Sequence, residues 1–238
     1  MKNWQERTAL MLGNGGLEKL SNAHVLVVGL GGVGAYASEQ LCRAGIGQMT
    51  IVDGDVVEST NRNRQLPALI SNEGQSKATL MGERFHDINP ELELSIVNEY
   101  LDDKGIIRML DQAKFDYVID AIDTLTPKAF LICRCVERNL SVVSSMGAGG
   151  KLDPSLIRVS DISKSFNCNL ARMLRKKLYK MGIRKGIKVV FSPEEVAEDC
   201  VKIEEGRNKK STVGTISYMP PLFGCYCASV VIRDLLKT

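Results

Sequence analysis

Five short apolar runs punctuate the chain: Val25–Gly29, Met49–Asp53, Leu94–Val97, Tyr117–Ala121 and Ser141–Ser145. Each is rich in Val and Ile and lacks strict alternation with polar residues, the pattern of strands covered on both faces. The segments between them are long enough for helical crossovers. Gln75–Asp87 reads as one helix, ending at Asn89-Pro90. Leu125–Asn139 reads as another, with Pro127 in its first turn, where a missing N–H costs little. Such alternation predicts an α/β fold with a doubly wound, mostly parallel sheet between two helical layers. The most apolar stretch, Tyr218–Ile232, carries Pro220 and Pro221 and is shorter than the roughly 20 residues that span a bilayer. Pro221–Leu236 is therefore expected to be a core or interface helix, and no integral membrane segment is expected.

Val25–Val28 leads into Gly29-Leu30-Gly31-Gly32-Val33-Gly34, and then into a helical pattern with Ala37, Leu41 and Ala44 on one face. A strand, a glycine-rich turn and a helix start form a phosphate cradle. Gly29 permits the tight turn, Gly31 lets phosphate approach the backbone, and Gly34 allows close helix–strand packing. The N–H groups and dipole of the helix N-terminus favour an anion there. Asp53 ends the second strand, 19 residues after Gly34, the usual place for a carboxylate that accepts from ribose hydroxyls. The loop alone is shared by dehydrogenases, flavoproteins and methyltransferases.

The stretch beyond Asp53 separates these possibilities. Asn61-Arg62-Asn63-Arg64-Gln65 places two cations and amide side chains just past a nucleotide-binding strand end. A nicotinamide pocket needs a largely apolar ring site. A triphosphate needs positive charge and amide donors, which Asn61 and Arg64 supply. Lys77 comes after Gly74-Gln75-Ser76 in the first turn of a helix, opposing the helix dipole, and a nearby anion would offset that cost. Asp120 and Asp123 close the fourth strand. Asp123, with Thr124 next to it, is placed to hold Mg²⁺ between phosphate oxygens or to cap the next helix. Asp120 is expected to be a structural hydrogen-bond partner.

Composition changes the picture little before residue 150 and more after it. The net charge of +3 names no partner. Lys164–Lys188, however, carries nine basic residues and no acidic one, with Arg172, Arg175, Lys176 and Lys180 recurring at helical spacings. An acidic stretch with Glu194, Glu195, Glu198 and Asp199 comes next, and Arg207, Lys209 and Lys210 then mark an expected exposed loop. Residues 1–150 thus read as the nucleotide-binding part with an N-terminal helix. Residues 151–238 read as a C-terminal part continuing the same fold, with a basic helical segment over 164–188. Seven cysteines with no export signal fit a reducing cytoplasm. The pairs Cys133/Cys135 and Cys225/Cys227 lack zinc-site spacing and are expected to be buried. His24 and His86 are expected in packing or surface roles.

Gly29–Gly34, Asp53, Asn61-x-x-Arg64-Gln65, Gly74-Gln75-x-Lys77, Asn89-Pro90 and Asp120-x-x-Asp123 together resemble the E1-like superfamily of ATP-dependent activating enzymes. The resemblance implies a Rossmann-like, E1-like adenylation fold with a C-terminal extension, and ATP and Mg²⁺ as cofactors. It implies contacts to ATP from Gly29, Gly31, Gly32, Gly34, Asp53, Gln65 and Thr124. Asn61, Arg64 and Lys77 would stabilise charge at the α-phosphate, and Asp123 would organise the metal. Arg7 matches an arginine that one protomer of a homodimer inserts into the ATP site of the other. Zinc-binding Cys-x-x-Cys pairs, usual in sulfur-carrier activators, are missing.

Gly147–Pro154, Val159–Lys164, the basic segment and Pro221-x-Phe223-Gly224 are similar instead to the tRNA threonylcarbamoyladenosine dehydratase group. That resemblance implies adenylation of the threonyl carboxylate of a tRNA nucleoside, then ring closure with net loss of water. The basic segment, through Arg172, Arg175, Lys176 and Lys180, would bind tRNA phosphates. A monovalent cation, K⁺ or Na⁺, at the Gly147–Gly150 loop and a sulfur-transfer protein are further expected partners; DNA is not. Alternative readings are activation of a sulfur-carrier or ubiquitin-like protein, a non-catalytic tRNA-binding or sulfur-relay scaffold, and an NAD-dependent oxidoreductase.

Overall fold

A computed structural model describes residues 3–203 and 211–237; Arg207, Lys209 and Lys210 lie outside the described residues. The strands are β1 (His24–Val28), β2 (Gln48–Val52), β3 (Glu93–Val97), β4 (Tyr117–Asp120), β5 (Ser141–Ser145), β6 (Arg158–Asp161) and β7 (Lys188–Phe191). They form one sheet in the order β3-β2-β1-β4-β5-β7-β6, parallel except for β6 against β7. A small antiparallel hairpin joins β8 (Val201–Ile203) and β9 (Ser211–Val213).

Helices α1 (Glu6–Ser21), α2 (Gly34–Ala44), α3 (Lys77–Ile88) and α7 (Met219–Lys237) belong to one face of the sheet. Helices α4 (Asp103–Gln112), α5 (Leu125–Glu137) and α6 (Asn169–Lys180) cover the other. The two faces take alternate strand residues. Val25 and Val27 enter one apolar cluster, while Leu26 and Val28 enter the other, as the strand repeat of two requires. All five predicted strands form.

The two-sided burial expected of all of them fails at β3. As the sheet edge, it leaves Glu93, Ser95 and Ile96 exposed. The helix expected from Gln75 begins at Lys77, because the Ser76 hydroxyl accepts from the Thr79 N–H and caps it there. α7 contains both prolines in its first turn and lays Phe223, Cys227, Val230 and Val231 into the core. By length and composition alone it reaches the threshold for a membrane span. Half of it is buried inside the protein, as a core helix would be.

Strand order reverses between β1 and β4, whose predecessors and successors run outward in opposite directions. Such a switch point opens a crevice at the carboxyl ends of the strands. The first Gly of the glycine-rich turn and the start of the turn after β4 lie side by side there. A Cβ on Gly29 would sit 2.8 Å from the Ala121 carbonyl oxygen.

Candidate nucleotide-binding site

The turn after β1 has the geometry its glycines allow. Gly29 adopts φ +91°, a conformation costly for other residues. A Cβ on Gly34 would collide with the Gly29 carbonyl oxygen, so the first turn of α2 closes on the strand end only with glycine at that position. Asp53 fastens this turn to β2. Its Oδ2 accepts from the Leu30 N–H at 2.5 Å and its Oδ1 from the Asp55 N–H at 2.7 Å. Burial raises the Asp53 carboxyl above its ordinary range, against the two backbone N–H groups and the charge of Lys77. A carboxylate has about four acceptor sites, so ribose hydroxyls can still be accommodated.

The Asn61–Gln65 turn folds onto the glycine loop. The Cβ position of Gly32 lies 3.5 Å from Arg64 Cγ, and that of Gly31 lies 3.8 Å from Gln65 Nε2. Asn61 is buried, and its Oδ1 accepts from the Glu58 N–H at 3.1 Å. Among the described residues its Nδ2 has only a 3.5 Å contact to Thr60 Oγ1, so the amide retains donor capacity for a ligand. Arg64 donates through one nitrogen to Thr60 O (2.9 Å) and Asn63 Oδ1 (2.8 Å). Among the described residues, Gln65 Oε1 is buried without a hydrogen-bond partner. An orphaned acceptor beside a glycine cradle fits a nucleotide that brings its own donor.

Lys77 is 4% exposed, and its Nζ lies 2.9 Å from Asp55 Oδ2. The anion that offsets this lysine's position in the helix's first turn is thus a carboxylate of the chain itself. Tyr100 donates its hydroxyl to the other oxygen of Asp55, and that bond pushes the phenol up to about 12. Sequence reasoning misses Asp55, although a nearly buried lysine demands a partner.

Asp123 is exposed in the turn after β4, and Thr124 is the N-cap residue of α5. This turn is held from below by a second lysine, which the sequence pattern does not single out. Lys128 and Asp120 are both fully buried, with Nζ 2.9 Å from Asp120 Oδ2 and 2.9 Å from the Ile122 carbonyl. Asp120 also accepts from Ser144 Oγ at 2.6 Å and from the Ile122 N–H at 3.1 Å. Its expected structural role is what the structure shows. The available signal is Lys128 itself, which shares the helix stripe of Leu131, Ile132 and Cys135.

Arg7 is exposed on α1 and is not brought to the loop of its own chain. A Cβ on Gly45, before β2, would collide with Gln5 Nε2. The start of α1 therefore sits at the sheet edge opposite the glycine loop. In the basic segment, Arg175 departs from expectation. Its guanidinium turns inward and donates to the Ser165 carbonyl at 2.7 Å and to the Ser165 hydroxyl. Lys177 reaches Thr126 Oγ1 on α5 at 2.8 Å. Arg172, Lys176 and Lys180 remain exposed, four residues apart on one stripe of α6. Among the described residues, none of them pairs with Glu194–Asp199.

Among the described residues no group of three or more His, Cys, Asp and Glu could hold a metal ion. Cys133, Cys135 and Cys227 are buried, whereas Cys225 is half-buried, short of the expected full burial. Burial pushes Cys135 and Cys227 up to about 12. His24 bonds Thr50 Oγ1 at 2.9 Å and packs on Phe115, at the edge away from the crevice.

A parallel sheet with a glycine turn at its switch point, an acid at the next strand end and cations folded over both defines a doubly wound nucleotide-binding protein. The family model described as ThiF matches residues 5–238. The chain belongs to the ThiF family. It is 40% identical to a tRNA threonylcarbamoyladenosine dehydratase of Bacillus subtilis, over 97% of this chain and 94% of that protein. It is 38% identical to the Escherichia coli protein of the same name, over 91% of this chain and 80% of that one. The solved structure of E. coli tRNA N6-threonylcarbamoyladenosine dehydratase in complex with ATP superposes with a TM-score of 0.90 at 34% identity, covering 100% of this chain and 96% of that one.

Proposed function

We propose that this chain is an ATP-dependent tRNA threonylcarbamoyladenosine dehydratase, acting in the cytoplasm. The end-to-end likeness to relatives of that name supports the reading. The observation that carries it is the exposed row Arg172, Lys176, Lys180 on α6, a helix whose Lys177 reaches the first turn of α5 just beyond Asp123 and Thr124. Eight residues of helix place its ends about 12 Å apart, a spacing suited to successive phosphates.

In this reading the glycine turn and the N-terminus of α2 hold phosphate oxygens, and Asp53 accepts from the ribose. Gln65 and Thr124 line the nucleotide. Asn61, Arg64 and Lys77 stabilise charge as it develops at the α-phosphate. Asp123 organises Mg²⁺, and Arg7 completes the site from the second protomer of a homodimer. Carbonyls of the Gly147–Gly150 loop would take K⁺ or Na⁺. The threonyl carboxylate attacks the α-phosphate of ATP and releases pyrophosphate, giving an acyl adenylate. An atom of the same side chain then attacks the activated carbonyl and closes the ring, with AMP as the leaving group and a net loss of one water from the nucleoside. Attack within one side chain has high effective molarity, so no protein nucleophile is required.

The test is pyrophosphate release by purified protein with ATP and tRNA, with and without the threonylcarbamoyl group. Release with modified tRNA only, with loss of one water mass from its nucleoside, supports the reading. Release only with a Gly-Gly-tailed carrier protein reassigns the chain to the sulfur-carrier activators.

Replacing Arg172, Lys176 or Lys180 by alanine should weaken tRNA binding. Each should reduce the slope of log affinity against log salt by about 1. Arg175→Ala should instead leave that slope unchanged and lower stability by about 1–3 kcal/mol through the orphaned Ser165 carbonyl. Filter-binding salt titrations and thermal melts of the four variants distinguish the two outcomes.

A further inference from the structure

Phe166 is a large aromatic side chain that the fold holds outward. It is 47% exposed, on the loop between β6 and α6. Next to it Asn167 adopts φ +49°, a left-handed conformation that asparagine tolerates better than most residues. The turn swings the chain into α6 and leaves the ring at the surface. Two contacts fix the ring. Phe191 meets it edge-on, with centroids 5.9 Å apart and planes at 73°. The Arg158 guanidinium stands over it, 5.6 Å from the centroid. Arg158 is itself exposed, and among the described residues it forms no ion pair.

The location ties this pair to the site. Arg158 registers with Phe191, at the carboxyl end of β7. That end lies on the same edge of the sheet as the glycine turn. Between β1 and β7 stand only β4 and β5, so at about 4.8 Å per strand the ring sits roughly 15 Å along the edge from Gly29. The exposed row Arg172, Lys176, Lys180 begins within two helical turns of Phe166 on the same chain segment.

An exposed ring with an arginine over it, at the head of a cation row, matches the way proteins receive single-stranded RNA. Unstacked bases lie on aromatic faces or guanidinium planes while basic side chains track the backbone. We propose that Phe166, braced by Arg158, is a stacking platform for an unpaired nucleobase of the tRNA anticodon loop next to the reacting nucleotide. The proposal rests on the tRNA reading of the basic helix. It adds to that reading a specific contact that orients the loop while the modified side chain reaches the nucleotide crevice.

The experiment uses an anticodon stem-loop RNA carrying 2-aminopurine beside the threonylcarbamoyl-modified adenosine, titrated with the full chain and with Phe166→Leu, Phe166→Trp and Arg158→Ala. Leucine keeps an apolar contact with Phe191 but offers no π face. The expected results are quenching of 2-aminopurine by the wild type, its loss in Phe166→Leu, its retention in Phe166→Trp and partial loss in Arg158→Ala. RNA affinity of Phe166→Leu should fall roughly tenfold or more, with the KM for ATP and the melting temperature unchanged. Equal quenching and affinity in Phe166→Leu and wild type overturn the proposal. So does a change in oligomeric state without a change in RNA binding, which would assign Phe166 to a protein contact. Stacking is read here without turnover. A wild type that binds and quenches but does not cyclise the nucleoside therefore refutes the dehydratase reading and leaves the platform standing.

Discussion

Lys77→Ala should lower the rate of ATP-dependent pyrophosphate release by roughly 10²–10³-fold, the usual cost of removing one preorganised donor from developing charge. The side chain is almost fully buried against Asp55, so its ammonium is already desolvated and held in place. Truncation acts twice. It deletes the cation, and it leaves the Asp55 carboxylate, still held by Tyr100, without the Lys77 counter-charge, which in the proposed reading would repel bound phosphate. Asp55→Asn in the Lys77→Ala background should therefore recover part of the loss, giving a coupling energy between the two sites well outside additivity. Lys77→Arg should not restore the wild-type rate, because a planar fork does not replace a compact point charge in a buried seat. The measurement is single-turnover pyrophosphate release. A decrease under about threefold for Lys77→Ala, far short of the usual loss, would remove Lys77 from the adenylation machinery.

The largest expected effect on stability is at Lys128. Lys128→Met strands the fully buried Asp120 carboxylate and should cost about 3–5 kcal/mol. For a chain of this size that corresponds to a fall in melting temperature of roughly 10 °C. Pairing it with Asp120→Asn removes the stranded charge and should return most of the stability, since replacing both members of a buried pair is often close to neutral. Activity should not return with it. The Ile122 carbonyl would still lack its donor, and the turn that carries Asp123 would have lost its anchor. Differential scanning calorimetry of the two variants, alongside their KM for ATP, separates the outcomes. An unchanged melting temperature in Lys128→Met would mean that the pair contributes nothing to the fold.

The contrast between Lys77 and Lys128 shows what the sequence could and could not disclose. Lys77 sits in a motif next to glycine and at a helix start, where local rules apply. Lys128 is eight residues from its partner, and its importance appears only when helix α5 folds back over β4. The same holds for Arg175. Spacing puts it on a cationic face, but the turn at Ile162–Ser165 packs beneath it and captures its guanidinium. The strands β1, β2, β4 and β5 are legible because they are apolar on both faces. β6 escapes the pattern because it is an edge strand of mixed polarity, Arg158-Val-Ser-Asp161, and β7 because its short apolar run, Val189–Phe191, directly follows the basic segment. The crevice itself is legible as a set of residue types. Its arrangement depends on Gly32 meeting Arg64 and Pro220, contacts between segments far apart in the chain.

The Pro220 contact bears on how the protein is made. The Cβ position of Gly32 lies 2.9 Å from Pro220 Cβ, and a Cβ on Gly224 would collide with the Val33 carbonyl oxygen. The wall behind the glycine turn is thus supplied by a helix that leaves the ribosome long after the turn itself. Lys19 of α1 donates to the Leu236 carbonyl at 3.1 Å, so the first and last described α-helices also meet. A nascent chain therefore holds its glycine turn without a backing wall until Met219–Lys237 emerges. A product truncated before Met219 would expose that turn and the apolar face of α2 to quality-control proteases.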